Sequence, residues 1–258
     1  MRMEPDFDFA DKTILVTGSG RNIGRAIILE FAARGANVVI NSRSNREEAE
    51  GVAREAEALG AKSLVVMGEA ANLATVEEMK QRAEDAFGRV DIYVSNAARR
   101  LSRSFFDTTN EDWHTYLNQQ LTASWYLAKA FVPGMIEAGW GRIVHVNGND
   151  GHHGGWSRIP HSVAKGGLRT LTKSLASGLG EYGITVNDLY PGYAATVRLE
   201  ETHPGGWAAS AERASHTPLG RQPTVEELAW GCLFLCAPRS GAITGSGLYI
   251  DGGAGMIG

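Results

Sequence analysis

Cysteine is scarce: the 258 residues contain only Cys232 and Cys236. They stand four apart in EELAWGCLFLC, on one apolar helix face, where core packing is expected and a disulfide would distort the helix. No apolar run approaches membrane-spanning length, so no membrane partner is expected. The opening MRMEPDFDFADK lacks the basic-then-apolar plan of a secretory signal, and the expected compartment is the cytoplasm. No Lys/Arg run occurs and the formal net charge is -4, which argues against nucleic acid as a partner. Repeats, low-complexity tracts and Pro/Ser linkers are also missing, so residues 1–258 read as a single domain. With 43% hydrophobic and 21% charged residues, the chain has enough apolar material for a sizeable core.

Short strand-like runs lie at 13–16, 38–40, 64–67, 92–94, 143–146, 185–189 and 248–250. Between them, segments at 22–34, 47–59, 76–87, 113–136, 161–179 and 225–235 carry apolar residues three and four apart, the spacing of helices with one buried face. This alternation predicts an α/β fold: one doubly wound, seven-stranded, mostly parallel sheet with helices on both faces. Ligands of such sheets bind at the strands' C-terminal ends. Residues 194–223, which contain HPGGW, show no period and are read as a substrate loop.

The richest stretch is Lys12 to Gly24, KTILVTGSGRNIG. Ile14, Leu15 and Val16 read as a buried strand, Gly18 and Gly20 as the residues that permit a tight turn, and Gly24 as a close packing point for the next helix. From Asn22 onward Ile23, Ala26, Ile27 and Phe31 recur at helical spacing, so the helix would aim its free N–H groups at a pyrophosphate.

Several pieces in order, TGSGRNIG, SNAA at Ser95–Ala98, PGYAAT at Pro191–Thr196 and the late ITGSGLYIDGG, resemble the short-chain dehydrogenases/reductases over nearly the whole chain. The resemblance implies a Rossmann-type domain. It implies a dinucleotide held by Gly18, Gly20, Arg21, Asn22, Ile23, Gly24, Asn96, Ala97, Pro191, Gly192 and Thr196, with Glu69 and Ala70 bracketing the adenine. Asn96 and Thr196 would then sit near the ribose and nicotinamide. Asn22 departs from the family, which has its middle glycine here, but Asn tolerates left-handed backbone. At the end of the second strand, where NAD-binding folds place a carboxylate, this chain has Asn41, Ser42 and Arg43. Ser42 and Arg43, aided by Arg21, suit a 2′-phosphate, so NADP(H) is expected over NAD(H). Family members also form dimers or tetramers through two long helices, here 113–136 and 161–179, and a homo-oligomer is expected.

The family's catalytic groups are a Tyr four residues before a Lys, a Ser thirteen residues before that Tyr, and an Asn on the preceding helix. GRIVHVNG and HSVAKGGL set the register, placing Gly148 at the Ser, His161 at the Tyr and Lys165 at the Lys, while WHTYLNQQLTASW puts Gln120 at the Asn. Gly148 has no hydroxyl to hold a carbonyl oxygen. His161 can transfer protons, since imidazole titrates near 6.5 and phenol near 10. Lys165, one turn on, would hold the nicotinamide ribose. Asn147, Asn149, Asp150 and Tyr193 are candidates to replace the missing Ser, with Asn149 and Asp150 the stronger because NGND directly follows a buried strand. His152 and His153 lack a metal-binding framework, so no metal is expected. Trp156 with Gly154 and Gly155 reads as a substrate wall, and Trp113, Trp125 and Trp140 as core and interface. The sequence thus points to an NADP(H)-dependent oxidoreductase for a small carbonyl or alcohol, with His161 as proton donor or acceptor. The alternatives are a non-redox elimination, isomerisation or hydrolysis on the same fold, and a cofactor-sensing protein without turnover.

Overall fold

Seven β-strands and eight α-helices alternate along the chain in a computed structural model that describes residues 7–98, 102–197, 212, 214–215 and 217–256. The strands are β1 Thr13–Val16, β2 Asn37–Ser42, β3 Ser63–Met67, β4 Ile92–Ser95, β5 Gly141–Val146, β6 Ile184–Tyr190 and β7 Gly247–Tyr249. They form one sheet in the order β3-β2-β1-β4-β5-β6-β7, and every neighbouring pair is parallel. The order reverses between β1 and β4, which opens a crevice at their C-terminal ends, the place where such sheets bind ligands.

The helices are α1 Asn22–Ala32, α2 Arg46–Ala58, α3 Leu73–Phe87, α4 Asn110–Leu117, α5 Ala123–Ala138, α6 Asp150–His153, α7 Ile159–Leu179 and α8 Val225–Cys236. Side chains alternate across a strand, so each strand feeds two cores. Ile14, Val16, Ile40 and Val94 face Ile27 and Phe31 of α1, Val52 of α2, and Cys232 and Leu233 of α8. Leu15, Val39, Tyr93 and Val186 face Met79 of α3, Leu127 and Phe131 of α5, and Ala176 of α7. The two cysteines are free and buried in α8, as the sequence predicts. Among the described residues no helix is long and apolar enough to cross a membrane.

One element differs from its sequence period. The helix expected over 113–136 is interrupted by a π segment, Asn118–Thr122, which separates α4 from α5. A π turn inserts one residue into the helical ladder and rotates the following side chains, a device common at functional sites. Gln120 lies inside it and is buried. Most of the expected substrate loop, including HPGGW, lies outside the described residues.

Candidate active site

The turn after β1 is held from three sides. Thr17 Oγ1 accepts the backbone N–H groups of Asn96 and Ala97, at 3.0 and 3.1 Å, locking the end of β1 to the end of β4. Asn96 turns its amide inward and donates to the carbonyls of Thr17 and Gly18, at 2.9 and 3.1 Å. Buried Asn41 at the end of β2 donates to the carbonyls of Val66 and Gly68 and accepts from Gly18 N–H. Asn96, expected near the ribose, therefore spends its side chain on the shape of the turn. No sequence signal separates those two uses of an Asn.

Gly18 has φ of +63°, and a Cβ there would come within 3.0 Å of Ala97 Cα. Gly24 is tighter still: a Cβ would lie 2.6 Å from Gly18 O and 2.7 Å from Ser19 Cα. Gly20, by contrast, has no left-handed φ and would accept a Cβ at ordinary distances of 3.5–3.6 Å. The tight turn expected of Gly18 and Gly20 thus belongs to Gly18 and Asn22, whose φ is +53°. Beyond the turn, the N-cap Arg21 makes no side-chain cap and the first turn of α1 carries no acidic residue. Its orphan N–H groups and partial positive charge suit an anion, the role expected of Ile23 and its neighbours.

At the end of β2, Ser42 borders the turn, its Oγ 3.6 Å from the Cβ position of Gly20. Arg43 Nη1 lies 3.7 Å from Glu69 Oε2, to which Gln119 Nε2 also donates at 3.3 Å. The residues read separately as a phosphate contact and an adenine bracket are therefore neighbours, with Ala70 buried beside them.

The second cluster sits where β5 ends and α7 begins. Lys165 Nζ donates to Val146 O at 2.7 Å, which fixes its ammonium at the end of β5. His161, 1% exposed, lies one helical turn earlier on the same face. A Cβ at Gly148 would be 3.9 Å from Lys165 Cγ and 4.0 Å from His161 Nε2, so the structure brings all three positions together and leaves open space at Gly148. Asp150 Oδ2 is 3.5 Å from His161 Nε2 and 3.1 Å from Arg158 Nη1. Asn149 turns elsewhere, its amide donating to Asp251 Oδ2 at 3.3 Å. Of the two side chains expected to replace the Ser, Asp150 turns toward His161 and Asn149 toward Asp251. Asn147 accepts Gly148 N–H at 2.9 Å and so shapes this loop. A cleft beside His161 is lined by Arg103, Asp112, Tyr116 and Arg158. Among the described residues a larger cavity, about 590 Å³, lies along β7 and α8 against Leu219, Trp230, Tyr249 and Met256, and its lining does not include His161 or Lys165. Trp156, read as a wall, is exposed and packs with Phe105 and Phe106.

A buried polar seam, which no local sequence pattern signals, runs beneath this cluster. His145 Nδ1 lies 2.7 Å from Thr172 Oγ1, which donates to Asp188 Oδ1 at 2.8 Å. Tyr190 donates to Asp188 Oδ2 at 3.2 Å and accepts from Arg169 at 2.9 Å. Because the Thr172 hydrogen goes to an acceptor, the network assigns a proton to His145 Nδ1. Burial, helped by the charge of Lys165, pushes the His145 pKa down to about 3. A histidine held neutral in the fold titrates first in the unfolded chain, at about 6.5. The His145 contribution is thus fully present above that value and falls as pH drops toward 3, by up to about 1.4 kcal/mol per pH unit. Urea unfolding at pH 7.5 and 5.0 should show a larger stability loss in the wild type than in His145→Gln; equal losses would contradict the assignment.

A family model described as enoyl-(acyl carrier protein) reductase matches residues 18–255. L-rhamnose 1-dehydrogenase (NAD(P)(+)) of Azotobacter vinelandii is 34% identical over 94% of this chain and 96% of its own length. The 3-oxoacyl-[acyl-carrier-protein] reductase FabG of Escherichia coli is 31% identical over 97% of this chain and 100% of its own. Among solved structures, a gluconate 5-dehydrogenase from Burkholderia cenocepacia in complex with NADP and tartrate superposes with a TM-score of 0.87. It is 30% identical, over 96% of this chain and 97% of that one. With the sheet order, the glycine turn and these matches in agreement, the chain belongs to the short-chain dehydrogenase/reductase family.

Proposed function

We propose that the protein is an NADP(H)-dependent oxidoreductase acting on a small carbonyl or alcohol, with His161 in place of the family's Tyr. The carrying observation is the buried His161, whose Nε2 borders the space left by Gly148 while Lys165 is fixed one turn away. The residues present fit a dinucleotide. Gly18 and Gly24 leave a cradle that a Cβ would fill, and the start of α1 is uncapped and free of acid. When bound, the nicotinamide supplies or accepts hydride. His161 then gives a proton to the carbonyl oxygen in reduction and takes it from the alcohol in oxidation. Asp150, itself paired with Arg158, lies 3.5 Å from His161 Nε2 and orients the ring. Lys165 holds the ribose, and Gln120, buried in the π segment, takes the place of the family's Asn. Pro191, Gly192 and Thr196 carry the nicotinamide side of the site.

The preference for NADP(H) over NAD(H) rests on Ser42, Arg43 and exposed Arg21, and is in line with the NADP held by the Burkholderia gluconate 5-dehydrogenase. Arg43 keeps donors for a phosphate while Glu69 steadies it, since a guanidinium has five. Arg43→Ala should lower NADPH affinity roughly tenfold or more, in line with a charged hydrogen bond, and leave NADH affinity unchanged. Fluorescence titration with both cofactors checks this, and a wild type that prefers NADH would contradict it. The activity is tested by following reduced-nicotinamide absorbance with a panel of small carbonyls. NADPH binding with no turnover of any would favour the sensing reading.

A non-redox reaction is the second reading, and Gly148 favours it, because no hydroxyl stands there to polarise a carbonyl. A homo-oligomer is supported by α5, which leaves Trp125 48% exposed. A monomer mass in sedimentation velocity would count against it.

A further inference from the structure

Asn22 does something that the glycine usual at its position could not. Its side-chain Oδ1 accepts the Val197 backbone N–H at 2.9 Å, and its Nδ2 donates to the Val197 carbonyl at 3.1 Å. A primary carboxamide carries donor and acceptor on one planar edge, so it pairs with the N–H and C=O of a single extended residue as a neighbouring strand would. Val197 lies on the chain that leaves β6 through Pro191 and Thr196, and Ala195 N–H donates to Pro223 O at 2.9 Å. The segment is thus pinned at two consecutive odd positions, once to the chain that leads into α8 and once to the first residue of α1.

The backbone of Asn22 argues that this pairing is selected for something. Among the described residues only Asp11 and Asn22 adopt positive φ without being glycine. A residue with a Cβ is strained there and glycine is not, so Asn22 keeps a conformation that glycine would adopt more easily. What it gains is the double hydrogen bond to a residue 175 positions away.

We propose that Asn22 is a positioning residue that straps residues 191–197 to the N-terminal end of α1, so that the dinucleotide phosphates are enclosed between the glycine turn and the strap. This rests on the reading above that the turn holds NADP(H). The strap leaves the α1 N–H groups free for the ligand, because the amide of Asn22 uses only its own side-chain atoms. It also joins the two halves of the sheet, β1–α1 and β6, across the switch point.

The test compares the wild type with Asn22→Gly, which keeps the left-handed backbone and removes the side chain. NADPH release, followed by stopped-flow fluorescence, should be about tenfold faster in the variant, which equals about 1.4 kcal/mol, the scale of two net hydrogen bonds. Hydrogen exchange of the Val197 amide without cofactor should be protected in the wild type and lose that protection in the variant. Val197→Pro, which removes the same N–H without touching the turn, should reproduce the faster release. Unchanged release and unchanged Val197 exchange in Asn22→Gly would overturn the strap. A wild type that binds no NADPH, while Val197 stays protected by Asn22, would instead overturn the cofactor reading and leave the strap as a link between β6 and α1.

Discussion

Substitution of His161 by Gln is expected to lower turnover by about 10²–10⁴-fold, the range supplied by a positioned general acid or base, with NADPH affinity unchanged. Gln preserves the volume and polarity of a side chain that is almost wholly buried, so the fold should persist and circular dichroism should match the wild type. The split between turnover and affinity is what separates a proton-transfer group from a structural one. His161 borders the space beside Gly148 and Asp150, whereas the phosphate end of the site is built by the β1 turn and α1. A purely structural His161 would show both quantities falling together with stability. A variant that turns over at the wild-type rate would remove His161 from the chemistry altogether.

Gly24→Ala should abolish NADPH binding at concentrations that saturate the wild type. The added methyl would meet Gly18 O at 2.6 Å, Ser19 Cα at 2.7 Å and Asn96 Nδ2 at 2.8 Å. Two of these are backbone atoms, and the third is held by its own hydrogen bonds to the turn, so none can move aside cheaply. Relief must come from shifting α1 away from the turn, which moves the N–H groups that face the phosphates. Overpacking of this kind costs about 1–3 kcal/mol, so urea unfolding should show a loss of stability alongside the loss of binding. Gly148→Ala is the control, because its methyl would have no neighbour closer than 3.9 Å. If Gly24→Ala binds NADPH normally, the turn does not form the phosphate cradle.

Much of this was legible in the sequence because it is local. Alternating strand and helix periods gave the layered sheet, and TGSGRNIG gave the turn, since a glycine or Asn requirement at Gly18 and Asn22 is a property of single residues. The family resemblance, not the residues' own spacing, set the positions of His161, Lys165 and Gly148, and the structure brings the three together. What stayed hidden depends on direction or on distant partners. Asn149 and Asp150 are adjacent and both polar, yet only Asp150 reaches His161, and that is settled by the path of the β5–α6 connection. Gly20 looked as necessary as Gly18, but glycine identity does not reveal φ. The π segment left the helical period intact to the eye, because one inserted residue shifts a face without erasing it. Pairs such as Arg43 with Glu69, Asn22 with Val197 and Thr172 with Asp188 unite residues from different elements, and no single segment announces them.

The most direct test of the proposed reaction is isotope transfer. Reduced cofactor deuterated at the reactive C4 position is incubated with the protein and the carbonyl panel, and the products are read by mass spectrometry. Hydride chemistry with His161 as the proton group predicts one deuterium on carbon in the alcohol product, one oxidised cofactor per product, and neither above background in His161→Gln. Product that carries no deuterium while the cofactor stays reduced would contradict it and identify the chain as a non-redox member of its family.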